Sequence, residues 1–475
     1  MSYKPENQFR CTIVRGRSQN MMEDMLPIYA EIIHQLCPCT KESFVDGARK
    51  RLSKVLFKTD VFEELPSGNQ KTVNNHLTET AGTLLCLYYY QKDADSGIEY
   101  VYETDSCKFI LEKGDNPAFF KNLCLNMQFP NAAKKRPFVE RDIQNGLGIR
   151  PLCFIVSLLY HAQQQEEKKL LSKQEIGYYV LNNLDVLKGD VLPEVVYQRI
   201  IQDRKDKIRR PKLQGENEWQ HIQEQINLLE LANIVEQDNK FLWLNKNEEP
   251  AIKLFVDTLN KGLFDVYKYP LNDAADFKNL IAEWRKYYGS VNDEVRILDT
   301  KFGTTLTILG REELNAHSTA TQSTVDLGDE GEALVYRLEQ ERVRRYKERL
   351  VNKVLLLGKT KGLGYDISSL EADENPEKPE FARYIEVKAT KRVTVPSFVD
   401  NWTDSLNITS KEWVAAEQYG DYYNIYRVYF TKTKTIIIRI KNPYKKYLED
   451  KMEVFPTIYQ MNFGASVIEK RYEGE

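Results

Sequence analysis

No apolar stretch in these 475 residues approaches the roughly 18 consecutive residues that a membrane-crossing helix needs. That excludes a helical spanning segment. The opening residues, MSYKPENQFRCTIVRGR, are polar and lack the apolar core of a secretory signal, so an intracellular, cytoplasmic protein with no membrane partner is expected. Cysteine is scarce as well: seven, irregularly spaced and odd in number, do not form the framework of a disulfide scaffold. Cys37 and Cys39 flank Pro38, yet no second close cysteine pair or cysteine–histidine set completes a tetrahedral zinc site, and the pair reads as two partly buried thiols. Charge of one sign is also missing. With a net charge of -3, binding to a polyanion would have to come from local basic faces rather than from the chain as a whole. The stretch LGKTKGLG, Leu357 to Gly364, contains GKT but lacks the upstream glycine of a phosphate-binding loop, which disfavours an ATP-driven machine.

What is present is enough apolar residue, 42% against 29% charged, for several packed cores, and the length suggests roughly three domains. From Met22 to about Leu56 the apolar positions follow helical spacing, pausing at Cys37-Pro38. From Asn69 to Tyr90, NQKTVNNHLTET runs into AGTLLCLYYY as a helix with an exposed front and a buried rear, placing Lys71, Asn74, Asn75 and His76 on the exposed part. Tyr100 to Leu111 alternates like paired strands after the turn DADSG. Helix followed by hairpin is how a winged helix ends. A second such unit runs from Ser172 to Asn247, with three helices and then short strands at VEQD and KFLWLN around Asp238-Asn239. Within it Arg204, Lys205, Lys207, Arg209, Arg210 and Lys212 are the densest basic cluster in the chain. Such a cluster can hold DNA phosphates by releasing counterions, or be an ordinary solvated helix end favoured by the helix dipole. The small, polar stretch NAHSTATQSTVD, 315 to 326, reads as a linker.

After the linker, GDEGEALVYRLEQERVRRYKERL has an apolar stripe and a charged face, and should be one long helix. KVLLLG reads as a buried strand, a second strand begins at Asp366, and ARYIEVKAT is a third. Side chains alternate along a strand, so Glu386 and Lys388 share a face while Val387 points into packing. If the second and third strands form a hairpin, Asp366 approaches Glu386. Two carboxylates can hold Mg2+ through oxygen, and a lysine can orient or deprotonate water and stabilise developing negative charge, which is what phosphodiester hydrolysis needs. Glu332, on the preceding helix, is the candidate for a further carboxylate on the metal or its water. Alone, a D...ExK pattern is also compatible with a surface ion pair contributing about 0–1 kcal/mol. The acidic stretch EADENPEKPE between the two strands reads as a solvated connector, YNIYRVYF and TIIIRIKN as further strands, and Tyr422, Tyr423 and Tyr426 as core or sheet-edge residues.

The order of these pieces adds weight: Gly331-Glu332, then Gly364-Tyr365-Asp366-Ile367, then Ile385-Glu386-Val387-Lys388, then Leu406 to Trp413, LNITSKEW. The series resembles the C-terminal domain of NO VEIN-type proteins, a branch of the PD-(D/E)XK nucleases close to Mrr-like restriction enzymes, over about the last third of the chain. That resemblance implies a mixed sheet flanked by helices, a magnesium site and phosphodiester cleavage, with the catalytic roles falling on Glu332, Asp366, Glu386 and Lys388. Lys411 stands where that family is expected to carry asparagine, and no proline precedes Asp366. The expected fold class is therefore α/β and multi-domain, with a mostly helical N-terminal region of winged-helix-like modules (1–165 and 166–314) and a C-terminal mixed sheet (315–475). The expected activity is Mg2+-dependent, site-specific cleavage of double-stranded DNA in defence against foreign DNA. A dimer would supply two centres for two strands, and since no methyltransferase signature is visible, either a cognate methyltransferase partner would protect host DNA or the enzyme would recognise only particular modified or foreign DNA. A catalytically silent DNA-binding regulator and an RNA-cleaving enzyme stay open as alternatives.

Overall fold

A computed structural model describes residues 9, 13, 16–165, 170–208, 216–302, 327–360, 362–399, 402–454 and 459–473. The expected linker at 315–326 lies outside them. The chain forms a mixed α/β structure that divides into two compact units. The first comprises Met1–Gln19, Ile32–Phe109 and Pro117–Thr300, and the second comprises Asn20–Glu31, Ile110–Asn116 and Lys301–Glu475. The expected segments 1–165, 166–314 and 315–475 are thus distributed over two units, and two early pieces of chain join the late one. Among the described residues no helix is long and apolar enough to cross a membrane.

The first unit is mostly helical and contains two small antiparallel sheets with the same connectivity. In one, β1 (Cys39–Thr40) pairs with β3 (Glu99–Glu103), which pairs with β2 (Tyr88–Lys92). In the other, β4 (Leu171–Ser172) pairs with β6 (Phe241–Leu244), which pairs with β5 (Val235–Gln237). Each short first strand ends on a hydroxyl residue that caps the next helix. Thr40 accepts from Ser43 N, and Ser172 forms a reciprocal cap with Glu175. Helices lie between each first strand and its hairpin: Lys41–Phe57 and Ser67–Asn75, and in the second case Pro193–Lys205 and Glu216–Leu231 among others. Two local expectations are corrected. Tyr88, Tyr89 and Tyr90 are strand rather than helix, and strand ends at Glu103, where Asp105–Lys113 turns helical. The helical period carried by Cys107, Phe109 and Ile110, all buried, was hidden by an accidental alternation.

In the second unit a six-stranded mixed sheet runs in the order β15 (Lys470–Glu473), β12 (Thr435–Lys441), β11 (Tyr423–Thr431), β9 (Ala382–Arg392), β8 (Ile367–Leu370), β7 (Leu355–Leu356). β9 and β11 are parallel and the other neighbours antiparallel. A second small sheet joins β10 (Asp404–Ile408), β14 (Tyr459–Phe463) and β13 (Glu453–Val454). β11 is buried along its whole length, as a central strand covered on both faces must be. Tyr426, Val428 and Phe430 join one core with Val335 and Val343 of the Leu327–Tyr346 helix, while Tyr423, Ile425 and Tyr429 join another with Trp413 and Ala416 of the Ser410–Tyr419 helix. Tyr423 and Tyr426 are thus core residues, as read from the sequence. β7 is an exposed edge rather than the buried strand expected of KVLLLG.

The two early segments border the far end of β9. Gly114 O accepts from Lys391 N at 3.0 Å and from Thr390 Oγ1 at 2.8 Å. Glu23 accepts from Val393 N and Thr394 N, both at 2.7 Å, and Asp24 pairs with Arg392 at 2.7 Å. Polar groups of β9 that β8 is too short to reach thereby find partners.

Candidate active site

The β8–β9 hairpin brings the predicted residues together. Ile367 is paired with Ile385, so Asp366, one step earlier, comes level with the segment that carries Glu386. Asp366 N donates to Ile385 O at 2.9 Å, and the Asp366 Oδ2 accepts from Val387 N at 2.8 Å, fixing the carboxylate against the next strand. Along β9, Ile385 and Val387 enter the core under the Leu327–Tyr346 helix, and alternation turns Glu386 and Lys388 to the opposite face. Lys388 Nζ lies 2.7 Å from Glu386 Oε1. The second contact of that ammonium, Glu412 Oε2 at 2.8 Å, was not assigned from the sequence. Its signal was there. T-x-x-E across Thr409 to Glu412 is a helix-starting box, and that box fixes where the Glu412 carboxylate stands.

Glu332 reaches the same place from the helix. Gly331 packs so closely on β9 that a methyl group there would lie 2.7 Å from Ala389 Cβ, and one on Gly358 would lie 2.1 Å from Glu332 Oε2. Glu332, Asp366, Glu386, Lys388 and Glu412 line one cleft of about 430 Å³, and Arg427 borders it from β11. Arg427 is held by Asp404, which accepts from Arg427 Nε at 2.8 Å and from the Tyr429 hydroxyl at 2.6 Å.

The cleft is electrostatically unbalanced. Burial holds the Glu386 carboxyl well above the ordinary carboxylate range, and the charges of Asp366 and Glu412 push the same way against Lys388. Burial likewise raises Asp366, opposed by its hydrogen bond from Val387 and by Lys388. Lys388 keeps its proton: burial opposes its charge, but Glu386 and Glu412 outweigh it and raise the ammonium above the usual lysine value. Among the described residues no group of three or more His, Cys, Asp or Glu side chains is placed to hold a metal ion. What the donor set offers instead is an open pair of hard oxygen ligands, short of positive charge, of the kind magnesium uses while keeping several waters.

The predicted polyanion contacts are more scattered. Lys71 is exposed, and Asn74 and Asn75 are half-buried, with Asn74 Oδ1 accepting from Arg49 Nε at 2.9 Å. His76, expected on the exposed part, is buried, and burial with Arg17 nearby lowers its pKa to about 4, so it is a neutral core residue. Arg204 is half-buried: its guanidinium binds both oxygens of Glu175, at 2.7 and 2.6 Å, and Leu170 O at 2.9 Å. Lys205 and Lys207 are exposed, while Arg209, Arg210 and Lys212 lie outside the described residues.

The family model for the N-terminal part of restriction endonuclease BpuJI matches residues 3–285. The chain belongs to the BpuJI N-terminal restriction-endonuclease family. A solved structure of the BpuJ1 endonuclease binding domain, in complex with pyrene- and phenanthrene-modified DNA, is 37% identical over 61% of this chain and 100% of that one, with a TM-score of 0.54. The model for the C-terminal part of protein NO VEIN matches residues 331–440, from Gly331 through most of β12. That stretch contains Glu332, Asp366, Glu386 and Lys388, the cleft residues assigned from the sequence. No curated protein matches the chain.

Proposed function

We propose that this protein is a magnesium-dependent, site-specific endonuclease of restriction type that hydrolyses phosphodiester bonds of double-stranded DNA in defence against foreign DNA. The observation that carries this reading is the convergence of Asp366, Glu386 and Lys388, with Glu332, on one cleft of a sheet matched by the model for the C-terminal part of protein NO VEIN, behind a restriction-endonuclease N-terminal match. Asp366 and Glu386 would hold the metal and Glu332 a metal-bound water. Magnesium bound there would neutralise phosphate charge and acidify water. The Lys388 ammonium, kept protonated and immobile by its acidic neighbours, is placed to orient water and to stabilise charge developing on phosphate oxygens. Arg427 adds fixed positive charge to the wall.

The first unit would choose the site. Its match to a binding domain solved with modified DNA supports this, and the two sheets of identical connectivity, each following helices, support winged-helix modules. Lys71, Asn74, Asn75, Arg204, Lys205 and Lys207 are the candidate contacts among the described residues, each exposed or half-buried. One centre per chain favours action as a homodimer, with a separate cognate methyltransferase guarding host DNA. The test is to incubate wild type, Asp366→Ala and Lys388→Ala with methylated and unmethylated plasmids, with Mg2+ or EDTA. Discrete, metal-dependent fragments lost in both variants are expected. Binding without cutting by wild type would instead indicate a silent regulator.

A further inference from the structure

Resting on the nuclease reading above, we propose that Glu412 is a positioning residue that keeps the Lys388 ammonium in place once the Glu386 carboxylate is engaged by a cation. Lys388 Nζ is shared between Glu386 Oε1 at 2.7 Å and Glu412 Oε2 at 2.8 Å, and both carboxylates are largely shielded from water. A lysine stem is flexible and its ammonium is a point charge, so its location is set by the acids around it. A carboxylate that binds a dication has less charge left for the ammonium, and Glu386 is the acid next to the proposed metal. Glu412 therefore has a distinct job: it is the partner that does not change.

Its own position is fixed from behind. Glu412 Oε2 accepts from Thr409 N at 3.0 Å, and Glu412 N donates to Thr409 Oγ1 at 3.3 Å, so the side chain is held by the first turn of the Ser410–Tyr419 helix. The same turn is locked to the chain that delivers Asp366. Gly364 has φ +77°, and a side chain there would lie 2.7 Å from Lys411 O and 2.8 Å from Ala415 Cβ, so only glycine permits this approach. Tyr423 Oη adds a hydrogen bond to Gly364 O at 2.9 Å. Glu412 thus stands at a set place relative to Asp366 and Lys388 without relying on Glu386.

The experiment compares Glu412→Gln with Glu412→Ala in the full-length chain. Glutamine serves as the reciprocal partner in a capping box, so it keeps the helix start and removes only the charge. Glu412→Gln is expected to melt at the wild-type temperature and bind DNA in EDTA as wild type does, while single-turnover cleavage with Mg2+ falls at least about tenfold at saturating DNA. Glu412→Ala should lose the same rate and also melt earlier. In a Lys388→Met background Glu412→Gln should have no further effect on residual cleavage, because it acts only through the missing ammonium. In protein labelled at lysine Nζ and titrated with Ca2+ in the absence of DNA, the Lys388 resonance should persist in wild type and broaden or vanish in Glu412→Gln. Wild-type rates in Glu412→Gln, or rate losses that simply multiply in the double variant, overturn the proposal while leaving the nuclease reading intact. A wild-type protein that never cleaves with Mg2+ brings down both.

Discussion

Arg383 and Glu386 are close neighbours on β9, yet they face opposite sides of the sheet, each within a cluster of buried charge. On the Arg383 side, charges are matched. Glu339 meets Arg342 at 2.8 Å, Ser369 Oγ and Tyr426 Oη at 2.7 Å, while Arg383 meets Glu371 and Glu374 at 3.0 Å. Arg439 closes the group on Glu374 at 2.6 Å. Burial would raise these acids, but Arg342 and Arg383 hold Glu339 below its ordinary value, and Arg383 and Arg439 bring Glu374 down to about 2. On the other side, Asp366, Glu386 and Glu412 face one lysine, and Asp366 and Glu386 are raised. Two clusters of similar composition, a strand's thickness apart, thus do different work. The matched one fastens the Leu327–Tyr346 helix to β8, β9 and β12. The unmatched one is left wanting a cation.

The sharpest way to break the comparison is to remove the lysine or a carboxylate on the unmatched side. Lys388→Ala or Asp366→Ala should lower Mg2+-dependent cleavage by at least about 10²–10⁴-fold while leaving the far-UV circular dichroism spectrum unchanged. Next in size, Glu339→Gln takes from Arg342 its buried acid, while Arg383 keeps Glu371 and Glu374, and should cost about 3–5 kcal/mol in urea unfolding of the second unit's fold. A loss under about 1 kcal/mol would deny the matched cluster its fastening role. A smaller effect is expected at Glu374, and it depends on pH. Its folded pKa of about 2 lies below the ordinary 4.5, so its contribution is complete above about pH 4.5 and lost as pH falls towards 2. Glu374→Gln should therefore cost roughly 1–3 kcal/mol at pH 7 and progressively less in acid, so that the unfolding curves of variant and wild type converge. The smallest effect has the opposite sign. Asp366→Asn keeps an oxygen for Val387 N but removes like-charge repulsion with Glu386, and should stabilise the metal-free protein by about 0.5–2 kcal/mol while abolishing cleavage. Destabilisation in EDTA would argue that the two carboxylates do not repel.

Much of the β8–β9 hairpin was legible because its pattern is local. Alternation alone turns Glu386 and Lys388 to one face and Val387 to the other, and the glycine before Tyr365 marks the turn that delivers Asp366. What escaped depended on partners distant in sequence. EADENPEKPE reads as solvated connector because acids usually are, yet Glu371 is buried and Glu374 is pinned, since Arg383 and Arg439 arrive from β9 and β12. The pairing of Arg204 with Glu175 could not be read from spacing, and His76 looked exposed because its neighbours in sequence are polar. Glu412 was visible as a cap but not as a partner of Lys388, because its second role is set by where the helix begins in space.

The placement of Asn20–Glu31 and Ile110–Asn116 bears on how the protein is made. A ribosome will have released both pieces long before it adds Arg392 and Thr394, so Glu23, Asp24 and Gly114 must wait for partners encoded far downstream. The unit that holds the candidate cleft therefore joins pieces of chain made far apart in time. A nascent chain, or one truncated ahead of β9, lacks the strand that carries Glu386 and Lys388 and the partners of these early segments.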